Sequence, residues 1–106
     1  LAEHNGTYTA VFKNTLDWLS RANVKVWRNK PTFLMATSPG GRGGVTVLQA
    51  AVNYFPFLFS NVVSNYSLPS FFDNFSEAGI SNADSKEELT QKVQLFKHHL
   101  NLNSII

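Results

Sequence analysis

The residues most able to do chemistry in this chain form a glycine-rich segment, residues 38–44, with four glycines within five positions. Glycine has no Cβ, so its backbone N–H groups can approach a flat or anionic ligand closely. Residues 32–37 before the segment are mostly apolar and predict a buried strand, and the run after it predicts a helix over residues 44–54. A strand, a glycine-rich turn and a helix in this order favour a ligand loop at the carboxyl end of a parallel sheet, where helix N–H groups attract electron-rich atoms.

The glycine spacing alone does not identify a ligand. It matches neither the dinucleotide-binding fingerprint nor the phosphate loop that ends in Gly-Lys-Ser/Thr. Glycine clusters also form ordinary surface turns. A ligand loop and a simple turn therefore both stay open at this point.

Side chains with catalytic or metal-binding potential are few. The chain has no cysteine, which excludes disulfides and thiolate metal sites. His98 and His99 are adjacent on a predicted helix and face different ways, so they do not form a metal pair. Asp17 lies well inside a predicted helix, where a surface or subunit contact is more plausible than a catalytic pair with Glu3. We predict no catalytic side chain and no metal site.

Composition places the chain among small folded domains. The 106 residues are 43% hydrophobic and include nine Phe, three Tyr and two Trp, which suffices for one packed core. The net charge is only +2 and the basic residues are scattered, so we expect no nucleic-acid or membrane partner. There is no membrane-length apolar run and no signal-peptide pattern at the start, and we expect a cytoplasmic protein.

The first predicted helix follows a turn at Asn5-Gly6. Thr7 or Thr9 can serve as its N-cap. Four apolar residues are predicted to form its buried face: Val11, Phe12, Leu16 and Leu19. Trp18 and Trp27 are interpreted as core or oligomer contacts.

The second helix is expected to end near Tyr54, because Pro56 disfavours helical geometry before it. Its predicted buried residues are Val45, Leu48, Ala51, Val52 and Phe55. Residues 57–59 are apolar and are expected to bury against the sheet. A second strand is predicted over residues 62–68, ended by Pro69.

The last third contains a predicted loop, a helix and a tail. Residues 70–82 are predicted to lack regular structure despite holding Phe71, Phe72 and Phe75. Ser85 and Glu88 have capping-box spacing and predict a helix that opens at Asp84. Its predicted buried face comprises Leu89, Val93, Phe96 and Leu100, and residues 101–106 are predicted to be a tail.

The alternation of strands and helices predicts an α/β protein with parallel pairing and right-handed crossovers. Leu34, Met35 and Ala36 should be deeply buried, beside Val63 and the backbone near Leu1. Two parallel strands make a poor sheet by themselves. We therefore expect that further strands belong before Leu1.

Two stretches together carry a family resemblance. Glu3-His4-Asn5-Gly6-Thr7-Tyr8, followed by Phe12-Lys13-Asn14-Thr15-Leu16-Asp17-Trp18-Leu19-Ser20-Arg21, resembles the NAD(P)H-dependent FMN reductase family. Members of that family typically show Pro-Glu-Tyr-Asn-Gly-Ser and then Leu-Lys-Asn-Ala-Leu-Asp-Trp-Leu-Ser. Lys30-Pro31, the glycine-rich segment and Leu68-Pro69 with the Phe-rich residues after it are also similar. The resemblance extends from Leu1 to about Leu100.

The resemblance implies a flavodoxin-like fold, a doubly wound parallel sheet in a three-layer α/β/α arrangement. On that map residues 1–106 are the C-terminal portion of a single domain, present as an incomplete domain. They would supply the end of strand 3, strands 4 and 5 (residues 32–37 and 62–68) and their helices. The loop that grips the FMN phosphate would precede Leu1, and the fragment alone is expected to be inactive and to hold FMN weakly or not at all.

The same resemblance implies a site and an activity. FMN would be lined largely by backbone groups of Ala2, Glu3, His4, Asn5, Gly6, Ser38, Pro39, Gly40 and Gly41. Ala2 stands where the family usually has proline, and His4 where it usually has tyrosine. Hydride would pass from NAD(P)H through the flavin to a small acceptor such as a quinone or free flavin, in a homodimer or homotetramer. Arg42 would either meet the phosphates of NAD(P)H or be solvated.

Two other functions stay open from the sequence. One is a flavodoxin-like flavin-binding or electron-carrier module without turnover. The other is an inactive fragment that holds no flavin.

Overall fold

The computed structural model describes residues 1–105, with side chains described through Leu100. It is a mixed α/β structure with small parallel and antiparallel sheets and four α-helices among these residues. The elements are β1 Glu3–His4, β2 Thr7–Tyr8, α1 Ala10–Ala22, β3 Pro31–Thr37, α2 Val45–Tyr54, a 3₁₀ turn Phe55–Leu58, β4 Asn61–Leu68, α3 Phe71–Asn74, β5 Phe75–Ser76, β6 Gly79–Ile80 and α4 Ala83–Ile105. None of the described helices has the length and apolar character needed to cross a membrane.

The central sheet is the parallel pair β3 and β4, which confirms the predicted pairing. The register runs from Pro31 opposite Asn61 to Thr37 opposite Leu68, with one irregularity between Thr32 and Phe33. At the other edge of β3, the Leu1 nitrogen donates a hydrogen bond to the Met35 carbonyl oxygen at 2.7 Å. The predicted neighbourhood of β3 and the backbone at Leu1 is therefore confirmed.

One face of β3 forms the hydrophobic core with α1, α2 and the 3₁₀ turn. Leu34 and Ala36 are buried there, as predicted, against the α2 residues Val47 and Leu48. The prediction that Met35 is also deeply buried is wrong, because its side chain is 49% exposed. Successive strand residues point to opposite faces, and α4 only partly covers the face that Met35 shares.

Helix α1 begins after Thr9, the second of the two predicted caps. The Thr9 hydroxyl accepts a hydrogen bond from the Phe12 N–H at 3.2 Å. Leu16 is buried and Phe12 packs against the core, but the predicted burial of Val11 and Leu19 is wrong: they are 72% and 50% exposed. The apolar residues of α1 extend over a wider part of the helix than the part that packs against the core. Val11, Trp18 and Leu19 lie on the part of α1 that is left exposed.

The two tryptophans have different surroundings. Trp27 stacks on Phe55 with ring centroids 4.3 Å apart, so it is a core contact. Trp18 is 72% exposed on α1 and contributes to no described core.

Helix α2 ends at Tyr54 as predicted, and the chain continues as a 3₁₀ turn with Pro56 at its start. Leu48, Ala51 and Phe55 are buried as predicted, while Val45 and Val52 are half-buried. Val47, which is fully buried, was not among the predicted core residues. Leu58 is buried and Phe59 half-buried, but Phe57 is 76% exposed, because the 3₁₀ turn directs it away from the core.

Residues 70–82 are more regular than predicted. They form the short helix α3 and the two-residue strands β5 and β6, which pair as a hairpin with Phe75 opposite Ile80. The Phe71 and Phe75 rings stack with centroids 5.0 Å apart. Aromatic contacts within the segment therefore give it a local structure that a search for long periodic runs does not detect.

Helix α4 begins one residue before the predicted start. The Asn82 side-chain oxygen accepts a hydrogen bond from the Ser85 N–H at 2.9 Å, so the capping residue is Asn82, and the predicted Ser85–Glu88 box is wrong. The helix continues to Ile105 instead of ending in a tail at residue 101, and residue 106 lies outside the described residues.

The buried face of α4 is shallower than predicted. Leu89, Val93 and Phe96 are only half-buried and Leu100 is 42% exposed. The Phe33 and Phe96 rings lie 5.8 Å apart, and the Tyr66 hydroxyl donates a hydrogen bond to the Ser85 carbonyl. A few contacts thus hold α4 against the Met35 face of the sheet.

Phe55 and Phe57 offer a matched test of the core. Phe55 is 2% exposed and contacts the rings of Tyr8, Phe12 and Trp27, whereas Phe57 is 76% exposed. We expect Phe55→Ala to lower the free energy of unfolding by about 3–5 kcal/mol, because it leaves a cavity. Phe57→Ala should change it by less than about 0.5 kcal/mol. Urea denaturation measures both, and equal effects would contradict this description of the core.

Candidate functional site

The first candidate segment is a tight hairpin. β1 and β2 pair antiparallel with His4 opposite Thr7, and Asn5 and Gly6 form the turn between them. Asn5 has φ 53° and Gly6 has φ 83°, the left-handed values that a two-residue type I′ turn requires. The Asn5-Gly6 turn prediction is confirmed. The turn exposes Ala2, His4, Asn5 and Gly6 and leaves Glu3 half-buried.

The second candidate segment is the loop after β3, which is held to the loop after β4. The Ser70 N–H donates to the Gly40 carbonyl oxygen at 2.8 Å, and the Phe71 N–H donates to the Ser38 carbonyl oxygen at 3.0 Å. The Thr37 hydroxyl also donates to the Leu68 carbonyl oxygen at 2.7 Å. These bonds fix the glycine loop at the carboxyl end of both parallel strands, which is where open α/β sheets bind ligands.

The four glycines of this loop have two different roles. Gly43 and Gly44 have φ 62° and 73° and are buried. A Cβ on Gly43 would meet the Ser67 hydroxyl and lie 2.8 Å from the Pro69 nitrogen, and one on Gly44 would lie 3.1 Å from the Ala36 Cβ. These two glycines are required by the fold itself.

Gly40 and Gly41 are the other pair, and neither is required by packing. No atom lies within 4 Å of the position where a Cβ would stand, and neither residue has a positive φ. Within the described part of the chain, their N–H groups donate to no hydrogen-bond acceptor. Both residues are exposed, so their unpaired amide donors are available to a ligand.

One contact joins the two candidate segments. A Glu3 carboxylate oxygen accepts a hydrogen bond from the Val47 N–H in the first turn of α2 at 2.7 Å. This bond links β1 to the helix that follows the glycine loop. Ala2, His4 and Asn5 make no hydrogen bond to residues 38–41 in the described structure. The closeness of the Asn5-Gly6 turn to residues 38–40 stays a prediction.

Several side chains singled out by the sequence have ordinary surface roles. Asp17 pairs with Lys13 at 2.8 Å on exposed α1 surface, as expected for a surface residue, and this hydrogen bond raises the pKa of Lys13. Arg42 is exposed and donates to the Thr46 hydroxyl at 3.0 Å. No group of three or more metal-binding side chains occurs among the described residues.

Tyr8, in strand β2 of the hairpin, has an unusual buried hydroxyl. Its hydroxyl is buried and has no hydrogen-bond partner in the described structure. Burial raises the pKa of Tyr8, and the neighbouring charge of Tyr54 raises it further. The ring lies against Phe12 and Phe55 with centroids 5.4 and 6.1 Å away.

The sequence did not predict an apolar cleft of about 300 Å³ on the Met35 face of the sheet. Its lining is Leu1, Met35, Ala36, Thr37, Tyr66, Leu68, Phe71, Phe75, Ile80 and Leu89. The Phe-rich segment was the sequence signal for this cleft. It lines the cleft only because α3 folds back over the strand ends.

These features define a class of protein: an α/β protein with backbone-lined loops at the carboxyl ends of parallel strands and no catalytic side-chain cluster in the described residues. Comparison with known families matches residues 1–75 to the family described as NADPH-dependent FMN reductase. The chain belongs to this family, as its motifs predicted, and the family is one of oxidoreductases that use FMN. Comparisons with curated proteins and with solved structures gave no match.

The two glycine roles predict effects of different size on folding. Gly43→Ala should lower the free energy of unfolding by at least about 1 kcal/mol, because its Cβ would strike the backbone at Pro69 from a left-handed conformation. Gly40→Ala adds a methyl group to open space and should change stability by less than about 0.5 kcal/mol. Thermal or urea unfolding compares them, and an equally large loss in both variants would contradict the division.

The unpaired Tyr8 hydroxyl makes a further prediction. A buried hydroxyl without a partner costs about 1–3 kcal/mol, so Tyr8→Phe should raise the free energy of unfolding by roughly 1 kcal/mol. Tyr54→Phe, at a ring that is 41% exposed, serves as the control and should change it little.

The pH dependence follows from the raised pKa of Tyr8. Below the unfolded pKa of about 10 the phenol is protonated in both states, and its ionisation takes no stability away. Above that pH the unfolded phenol ionises first, so the free energy of unfolding falls until the pH passes the raised folded pKa. The free energy of unfolding, measured from neutral to alkaline pH, should therefore decline less steeply in Tyr8→Phe than in the unchanged protein. Identical slopes would contradict the burial of the hydroxyl.

Proposed function

We propose that this protein is an FMN-dependent NAD(P)H oxidoreductase that passes hydride through bound flavin to a small acceptor such as a quinone or free flavin. The observation that carries the proposal is the pair of exposed glycines, Gly40 and Gly41, whose amides have no acceptor among the described residues, in a member of the NADPH-dependent FMN reductase family. Such donors fit the polar edge of an isoalloxazine ring. The absence of a Cβ allows a flat ring to approach them.

The residues that would hold FMN come from both loops and act mainly through backbone groups. They are Ala2, Glu3, His4, Asn5 and Gly6 of the hairpin and Ser38, Pro39, Gly40 and Gly41 of the glycine loop. The exposure of most of these residues is compatible with a ligand lying over them. The imidazole of His4, also exposed, would pack at the ring edge.

When bound, the flavin supplies the hydride chemistry, because nicotinamide and flavin react directly with each other. The chain's part is to bind and orient the ring. Fixed amide donors at the glycine loop would favour negative charge on the polar edge of the ring without reorganising. Under this proposal no site residue has to act as a nucleophile or general base.

For the fold, we propose that β3 and β4 belong to a flavodoxin-like, doubly wound parallel sheet. The hydrogen bond from Leu1 to the Met35 carbonyl supports this, since it occupies the edge of β3 opposite β4. An interior β3 would pair on both edges, as strands of such sheets do. Residues 1–106 would then supply the C-terminal portion of the domain.

We also propose a homodimer or homotetramer, with NAD(P)H and a small acceptor as partners and a cytoplasmic location. The exposed apolar flank of α1 supports self-association. Val11 and Trp18 are each 72% exposed there and Leu19 is 50% exposed. Single exposed apolar residues are common, but several on one side of a helix fit an interface between subunits.

The direct test uses the full-length protein. Flavin fluorescence is followed while FMN is added, and NADPH oxidation is then measured with and without a quinone. We expect stoichiometric quenching and quinone-dependent oxidation of NADPH. Flavin binding without oxidation would indicate an electron carrier instead. No binding of FMN would contradict the proposal.

A pair of variants connects the activity to the loop. Gly41→Val places a branched side chain in the open space over the loop and should weaken FMN binding at least tenfold, a loss of about 1.4 kcal/mol. Its unfolding should be nearly unchanged, because nothing lies within 4 Å of the new Cβ. Ala78→Val adds similar bulk at an exposed turn between β5 and β6 and is the control. Equal FMN affinity in all three proteins would remove the glycine loop from the site.

A further inference from the structure

The hydrogen bond between Glu3 and Val47 gives Glu3 a role that differs from contact with a ligand. We infer that Glu3 is a positioning residue, whose carboxylate locks the hairpin to the first turn of α2 and so holds the two flavin loops at a fixed spacing. The inference rests on the proposed function, because it assumes that both loops bind FMN.

Helix α2 lacks an N-terminal cap of its own. Its N-cap residue is Gly44, which has no side chain, and the first turn contains no acidic residue. The Val45 N–H reaches the Arg42 carbonyl, but the Val47 N–H has no such local partner. Glu3, which is 44 positions away in the chain, supplies the acceptor at 2.7 Å. A carboxylate at this place also interacts favourably with the positive end of the helix dipole.

Both ends of this bond are attached to stiff structure. Glu3 is paired with Tyr8 across the hairpin, two residues before the Asn5-Gly6 turn. Val47 is fully buried, three residues beyond Gly44, which packs closely against β3. Movement of the hairpin relative to the glycine loop therefore requires breaking the bond. A site fixed in advance loses less conformational entropy when a ligand binds.

The same bond limits where an external anion can bind. The sequence favoured electron-rich ligand atoms at the N-terminus of α2, but a protein carboxylate already takes the Val47 amide. Ligand donors are left at Gly40 and Gly41, on the open side of the loop. The Val47 donor of the helix terminus is thus used within the protein, and the proposed flavin contacts lie in the preceding loop.

The test compares Glu3→Ala, Glu3→Gln and the control Glu77→Ala in the full-length protein. Glu77 is exposed on the turn between β5 and β6 and makes no hydrogen bond to another described residue. FMN affinity is measured by flavin fluorescence, folding by thermal unfolding, and the Val47 bond by backbone hydrogen exchange. Glu3→Ala should weaken FMN binding about tenfold and speed exchange at Val47, while the protein remains folded at the assay temperature.

Glu3→Gln separates positioning from other roles, because its amide oxygen can still accept the Val47 hydrogen bond. It should restore most of the FMN affinity and slow the exchange at Val47 again. Glu77→Ala should match the unchanged protein in all three measurements. If the carboxylate charge itself contacts the flavin, glutamine should not restore the FMN affinity. An equal loss of FMN affinity in both Glu3 variants would therefore overturn the inference.

Failure of the inference differs from failure of the proposed function. If the unchanged protein binds no FMN, the proposed function fails. If it binds FMN and Glu3→Ala binds it equally well, only the positioning role is wrong. If Glu3→Ala is unfolded at the assay temperature, Glu3→Gln decides: full affinity with slow Val47 exchange supports the role, and lost affinity with slow exchange overturns it.

Discussion

The parallel pairing of β3 with β4 is the constraint on which the rest of the structure depends. Because the strands run in the same direction, Thr37 and Leu68 end at the same edge of the sheet, and the loops that follow must meet there. The hydrogen bonds from Ser70 and Phe71 to the glycine loop exist only because of this arrangement. The central sheet thus determines where a ligand can be held before any side chain is considered.

Much of this framework could be predicted from local sequence. The Asn5-Gly6 turn and the end of α2 before Pro56 depend on backbone restrictions of a few neighbouring residues, and the strand at residues 32–37 depends on a short apolar run. Burial could not be predicted as well, because it depends on distant partners. Met35 and Leu19 have the apolar character of core residues, yet no described element covers them fully. Hydrophobicity indicates which residues can be buried, not what is available to cover them.

The glycines of the candidate site show the same limit of prediction from local sequence. Four glycines within five positions predict a special loop, but their roles differ only once β3 and β4 are in place. Gly43 and Gly44 lie against the strands, and Gly40 and Gly41 face open space. Glu3 was predicted as a flavin-lining residue, and the sequence gives no sign that its carboxylate would reach Val47, 44 residues away. Contacts over such distances follow from topology, which local patterns do not contain.

A flavin site made mainly of backbone groups, as proposed, would need few reactive side chains. Only substitution by proline removes a backbone amide donor, and the direction of the donor is set by the fold. A ring held by such donors would therefore depend on loop geometry more than on residue identity. In such a site the sensitive positions are those that control spacing. The bond from Glu3 to Val47 and the close approach of Gly44 to Ala36 are of this kind, because each fixes a loop without offering a reactive group. In the proposed site, specificity would therefore depend on supporting residues that have no reactive chemistry of their own.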